Sequence, residues 1–194
     1  MLRDHCFLKV CAPLALAAML AGSTSAGPPA GWMSSGKAPQ DYEMGVDKSV
    51  TYGGKPSAYI RSAKPTPSAF STLMQMFTAV PYRGKRVSFS AEVKSDAVTN
   101  WAGLWLRVDG RHGRITAFDN MQDRPISGTT SWEHYEVVLD VADEATKVAL
   151  GILLDGPGTV WVSDIKFETV DKTVATTGQF SRPNDGPTNL DFTK

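Results

Sequence analysis

The feature that most constrains this chain is a strict two-residue alternation of apolar side chains, repeated from one end to the other. Val87, Phe89, Ala91 and Val93 form one such row. Ala102, Leu104, Leu106 and Val108 form a second, Tyr135, Val137, Leu139 and Val141 a third, and Val148, Leu150, Ile152 and Leu154 a fourth. A strand sends successive side chains to opposite faces, so each row reads as one buried face of a strand. Alternating runs cover Tyr42–Asp47, Ala58–Ser62, Ser71–Thr78, Arg86–Lys94, Ala102–Asp109, Ile115–Asn120, Glu133–Val141, Lys147–Leu154 and Thr159–Glu168. Turn-forming clusters separate them, among them Gly53-Gly54, Asp109-Gly110 and Asp155–Gly158. Short strands at this spacing predict an all-β fold of two packed antiparallel sheets, a sandwich of the jelly-roll type. No amphipathic helix is predicted; Asp143–Thr146 suits a single helical turn.

The first 26 residues stand apart. Arg3 and Lys9 precede an apolar run from Val10 to Ala21, and small residues Ser23–Ala26 follow. This is the layout of an export signal, with cleavage expected after Ala26. The run is shorter than the roughly 20 residues that span a bilayer. Both cysteines, Cys6 and Cys11, lie inside the expected signal. The domain expected at residues 27–169 therefore has no disulfide and no thiolate chemistry. Beyond residue 26 the chain carries 18 basic and 19 acidic side chains, with no basic run, which argues against a nucleic-acid partner. No second apolar stretch suggests a membrane span. Residues 170–194 are polar and rich in Thr, Pro, Gly and Asn, and read as a tail. Its end, Asn189-Leu190-Asp191-Phe192, could dock as an edge strand through Leu190 and Phe192.

Catalytic patterns are scarce. His112 and His134 are the only histidines after the signal, and neither stands in a metal-ligand spacing. Asp119, Asp123, Glu133 and Glu136 are the acids that a glycosidase or lyase would draw upon, but acids are common on exposed strand faces. The aromatic residues say more. In "NWAGLWLRVDG", residues 100–110, the core takes Ala102, Leu104, Leu106 and Val108, so Trp105 and Arg107 face the other way. If residues 117–125 pair beside them, Asn120 and Gln122 join that face, with Gln75 from another strand and Trp101 at the entrance. An aromatic plane rimmed by planar amides and a guanidinium suits a sugar, whose C–H faces stack and whose hydroxyls hydrogen-bond. A packed Trp–Arg stack without ligand is the alternative. Trp132 and Trp161 read as caps of the core.

Three motifs carry a resemblance. Gly53-Gly54-Lys55-Pro56-Ser57-Ala58-Tyr59-Ile60, Trp132-Glu133-His134-Tyr135 and Val160-Trp161-Val162-Ser163-Asp164-Ile165-Lys166-Phe167 occur in that order. Together, over about residues 32–168, they resemble the galactose-binding-like jelly rolls of carbohydrate-binding modules. The middle segment resembles stand-alone exported members that often bear a transcription-regulator label, for which this sequence offers no helix-turn-helix and no basic face. The resemblance implies a noncatalytic binding module for a carbohydrate or related polyol. It also implies a possible structural Ca2+ held by Glu43, the Gly54 and Lys55 carbonyls, and Asp164. The other readings are a structural or protein-partner module of the cell envelope, periplasmic or extracellular, and a hydrolase or lyase.

Overall fold

The computed structural model describes residues 24–178. The segment before Thr24, and with it nearly all of the expected signal, lies outside the described residues, as do Leu190 and Phe192.

Ten strands make up the fold: β1 (Thr24–Ala26), β2 (Met33–Gly36), β3 (Tyr42–Tyr52), β4 (Lys55–Ser62), β5 (Ser71–Thr78), β6 (Arg86–Asp109), β7 (Ile115–Asp119), β8 (Ile126–Asp140), β9 (Lys147–Asp155) and β10 (Thr159–Val170). No α-helix occurs among the described residues, and 143–144 form a simple turn. All pairings are antiparallel. The strands fall into two layers that share β6. One layer runs β1-β3-β4-β10-β6 with β8 beside β6, and the other runs β6-β9-β5-β2 with β7 beside β6.

The sharing explains why the runs Arg86–Lys94 and Ala102–Asp109 are one strand. The first half of β6 pairs with β10 and β8, and the second half with β9 and β7. Between them the ladder with β8 slips three times, between Val93 and Ser95, Ser95 and Val98, and Val98 and Ala102. Ala97 there adopts φ 51°. Bulges of this kind bend a strand and increase its twist, which lets one strand cross from sheet to sheet.

The core lies between the layers and contains the alternating rows. Val87, Phe89, Ala91, Val93, Val160 and Val162 face Leu104, Leu106, Val108, Val148, Leu150, Ile152 and Leu154 across it. Tyr135 is the partial exception and stays half-buried at its margin. Trp161 is not a core cap: it alternates with Val160 and Val162, so it lies on the outer face of the first layer, 8% exposed, where its indole donates to Asp47 Oδ2 at 3.2 Å. Trp132 packs half-buried against Tyr52, ring centroids 5.5 Å apart.

Two short strands were not legible as alternating runs. β2 pairs with β5 and closes the edge of the second layer. β1 places the last three residues of the expected signal segment beside Gly45–Asp47 of β3. The chain after β10 stays on the surface of the first layer for a further stretch: Thr177 N–H donates to the Val138 carbonyl at 2.9 Å, and Arg86 donates to the carbonyls of Lys172 and Val174.

Candidate functional site

The outer face of the second layer carries a groove of about 490 Å³. Register builds it row by row. Trp105 of β6 sits opposite Gly151 of β9, which sits opposite Met74 of β5. Arg107, Ala149 and Met76 form the next row, and Gly103, Leu153 and Thr72 the one on the other side. Two of the three central positions, Gly151 and Ala149, are small, so the floor is low there. Larger side chains surround it: Phe70 ahead of β5, Phe118 of β7 opposite Arg107, and Trp101. Lys37, Ser35 and Asn120 complete the lining.

Trp105 is the floor of this groove rather than an exposed plate. It is 7% exposed and packs with Met74, Ala149 and Leu153. Its indole N–H donates to Thr72 Oγ1 at 2.7 Å, and Thr72 Oγ1 donates to the Ile152 carbonyl at 2.8 Å. Thr72 stands on β5, two strands away, so the indole lies across β9, where Gly151 offers no side chain to block it. A Cβ at Gly151 would stand 2.4 Å from the Leu73 carbonyl oxygen, so β5 and β9 approach too closely there for any other residue.

Arg107 does not stack on Trp105. It turns along its own strand to Asp109, with Nη2 donating to Oδ2 at 3.0 Å and Nε 2.9 Å from Oδ1. The Nε contact is close but off-line, so those two atoms are held by charge without a true hydrogen bond. The third side of the guanidinium, Nη1, keeps its donors free for the groove.

Asn120 reaches the rim through a tight turn. The buried Asp119 carboxylate accepts from Met121 N–H at 2.8 Å and from Arg124 Nη2 at 2.6 Å. Met121 adopts φ 61°. Gly103 lets this turn come close, since a Cβ there would stand 2.8 Å from the Asn120 carbonyl oxygen. On the opposite side, the loop before Phe70 is tied down by buried Asp41, whose Oδ2 accepts from Ser68 N–H and Oγ–H at 2.8 and 2.7 Å while Lys64 pairs with Oδ1. The Lys64 ammonium and the Ser68 donors hold the Asp41 carboxyl down at about 2.

The structure thus gathers Trp101, Trp105, Arg107 and Asn120, and leaves out two expected members. Gln75 shares its face with Leu73 and Phe77, opposite Leu150, so it points to the other side of β5 from the groove, near Gly31. Gln122 is exposed beyond the turn, where its backbone N–H donates to Asn120 Oδ1 at 3.2 Å. The Ca2+ set does not assemble. Glu43 lies opposite Arg61 on β4, whereas Asp164 lies beside Lys55, six residues or about 20 Å further along that strand. Asp164 already has two cations, Lys55 Nζ at 2.9 Å and Lys166 Nζ at 3.3 Å, which hold its carboxyl below the usual range. Among the described residues no three His, Cys, Asp or Glu side chains converge as a metal site. Of the acids weighed for hydrolysis, Asp119 and Asp123 share the Arg124 guanidinium, Glu133 accepts from Tyr135 and Glu136 from Ser88, and no carboxylate lines the groove.

A larger cleft of about 1040 Å³ lies between Arg114–Ala117 and Leu139–Glu144, bounded on one side by Lys172, Thr176 and Gly178. It has no aromatic lining, and one wall is the segment that leads out of the described residues. The aromatic groove is the better candidate.

No protein-family model matches the chain. A protein of Bacillus subtilis (strain 168), named as the uncharacterized HTH-type transcriptional regulator YbfP, is 42% identical over 166 residues, 84% of this chain. The chain spans 56% of that protein's length. The helix-turn-helix of that name has no counterpart among the described residues, which form no α-helix. Among solved structures, the CBM22-1 xylan-binding domain from Paenibacillus barcinonensis Xyn10C is 18% identical, with a TM-score of 0.54 over 79% of this chain and 99% of that domain. A cyclase from Fischerella sp. in its apo form is 11% identical, with a TM-score of 0.55 over 80% of this chain and 91% of the cyclase. The chain has the β-sandwich fold of carbohydrate-binding modules. At such identities the likeness fixes architecture, and the chemistry rests on the groove.

Proposed function

We propose that this protein is an exported module that binds carbohydrate along the groove of the second layer and has no catalytic role of its own. One observation carries the reading: aromatic side chains, Trp101, Phe118 and Phe70, stand half-buried around a low apolar floor, with polar groups only at the rim. A pyranose ring lays its C–H face on such rings and turns its hydroxyls to the rim. The fold shared with a xylan-binding domain supports the reading. The cyclase shares the fold too, so the lining must decide. Glycoside hydrolysis needs a pair of carboxyl groups flanking the bond, and the groove lining offers none. Arg3, Lys9 and the apolar run to Ala21 support export. Electrophoresis through gels containing soluble polysaccharides tests the reading: retardation by at least one glycan supports it.

A second reading has its own observation. Met33 and Met76, 47% and 40% exposed, extend the apolar surface past the groove. Flexible thioethers suit an adaptable protein contact, so an envelope protein could occupy this face instead. Unretarded migration in every glycan gel would favour it.

A further inference from the structure

We propose that the groove selects an acidic oligosaccharide, a chain of uronic acids, over neutral glycans; the inference rests on the carbohydrate reading above. The argument is one of donors and acceptors. Four side chains bring free donors to the groove: Lys37 Nζ, Arg107 Nη1, the Asn120 amide nitrogen and the Trp101 indole N–H, none of which has a side-chain or backbone partner among the described residues. Acceptors are few. Thr72 Oγ1 is spent between Trp105 and Ile152, and Asn120 Oδ1 already takes the Gln122 N–H. The nearest carboxylate, Asp109, is spent on Arg107. What remains among the side chains is the Ser35 hydroxyl and the second lone pair of Asn120 Oδ1.

A neutral sugar hydroxyl is a donor as well as an acceptor, and its donors need acceptors in the site. This groove leaves them short. A carboxylate ligand is acceptor only, and a lining of donors with one unpaired cation, Lys37, and the open Nη1 of the ion-paired Arg107 matches it. The Arg107 guanidinium offers Nη1 beside a floor of Ala149 and Met76, where water is partly excluded and a charged contact is worth more than in bulk.

The spacing argues for an oligomer. Lys37 N–H bonds to the Phe70 carbonyl at 3.1 Å, just before β5 begins, whereas Arg107 lies in the row of Met76. Six residues of β5 separate the two, about 20 Å at a rise of about 3.3 Å. That backbone span exceeds one pyranose ring, so a chain with a carboxylate on each residue suits the groove from end to end, with Trp101, Phe70 and Phe118 meeting the rings between.

Isothermal titration of the protein with oligogalacturonate, with its methyl ester and with xylohexaose tests the inference. The ester keeps every ring and removes the charge. Oligogalacturonate is expected to bind about tenfold or more tightly than its ester, a gap equal to one charge-assisted hydrogen bond. Lys37→Gln, an exposed substitution that leaves the fold intact, should narrow the gap, as should raised salt. Equal affinity for acid and ester, or tighter binding of xylohexaose, would overturn the acidic preference and leave the carbohydrate reading standing. Absence of binding to all three overturns this inference, and electrophoresis against other glycans then decides whether the broader reading falls with it.

Discussion

Replacing Thr72 by Val exposes how the groove floor is held. Val keeps the shape of Thr and removes only the hydroxyl. In the native protein that hydroxyl accepts the Trp105 indole N–H at 2.7 Å, in a residue only 7% exposed. The substitution leaves this N–H buried and unsatisfied, which costs about 1–3 kcal/mol. At the middle of that range, and at about 2–4 °C per kcal/mol for a domain of this size, the melting temperature should fall by roughly 4–8 °C. Urea denaturation is the cleaner assay: the midpoint should drop with an unchanged m-value. Trp105→Phe supplies the second arm of a cycle, because it removes the donor. In that background Thr72→Val should cost about 1 kcal/mol less than it does alone, the signature of a direct interaction. Additive costs, or a Thr72→Val loss below about 0.5 kcal/mol, would refute a buried Trp105–Thr72 bond and return Trp105 to the solvent-facing role expected from sequence.

Gly151→Ala should destabilise by about 1–3 kcal/mol or more in the same denaturation assay, because its methyl group meets the Leu73 carbonyl oxygen at 2.4 Å and the two strands must part; a neutral result would mean that the strands do not approach so closely. Arg124→Ala should leave Asp119 buried without its cation and cost on the order of 3 kcal/mol, with affinity at the groove falling through displacement of Asn120; wild-type stability would contradict the anchoring role of that pair. Asp41 gives a pH dependence. Its folded pKa lies below the ordinary carboxylate value, so the folded state favours the ionised form. The stability this contributes is complete above about pH 4 and is lost as pH falls toward about 2. Thermal melts of the wild type and Asp41→Asn should therefore differ at pH 6 and converge near pH 2; a constant difference would remove Asp41 from the acid response.

Much of the fold was legible because the core obeys a period of two. Ala102, Leu104, Leu106 and Val108 enter the core, and Trp105 and Arg107 face away from it, as alternation alone requires. The failures have physical causes. Gln75 lies in "TLMQMF", where both faces of the strand are apolar, so alternation could not say which face is inside; pairing with β9 decides it. That ambiguity also hid Met74 and Met76. Phe118 could have been found from its parity opposite Arg107, whereas Phe70 and Lys37 belong to segments whose place depends on β2 and on the Asp41–Ser68 tie. Arg86–Lys94 and Ala102–Asp109 read as separate runs because the bulges between them break the alternation, although the strand continues through. The Ca2+ expectation came from motif resemblance, and the lysines beside Asp164 are what displace it.

Trp101→Ala tests the central claim most directly. Trp101 stands at the groove mouth, half-buried, with a free indole N–H, and packs against the small outer cluster rather than the main core, so its loss should spare the fold. Calorimetric titration of the wild type and this variant, with the glycan that retards the wild type most strongly, reads its contribution. Losing one stacked aromatic plane should weaken binding about tenfold or more while circular dichroism and melting stay unchanged. Undiminished affinity in a folded Trp101→Ala protein would contradict carbohydrate binding at this groove.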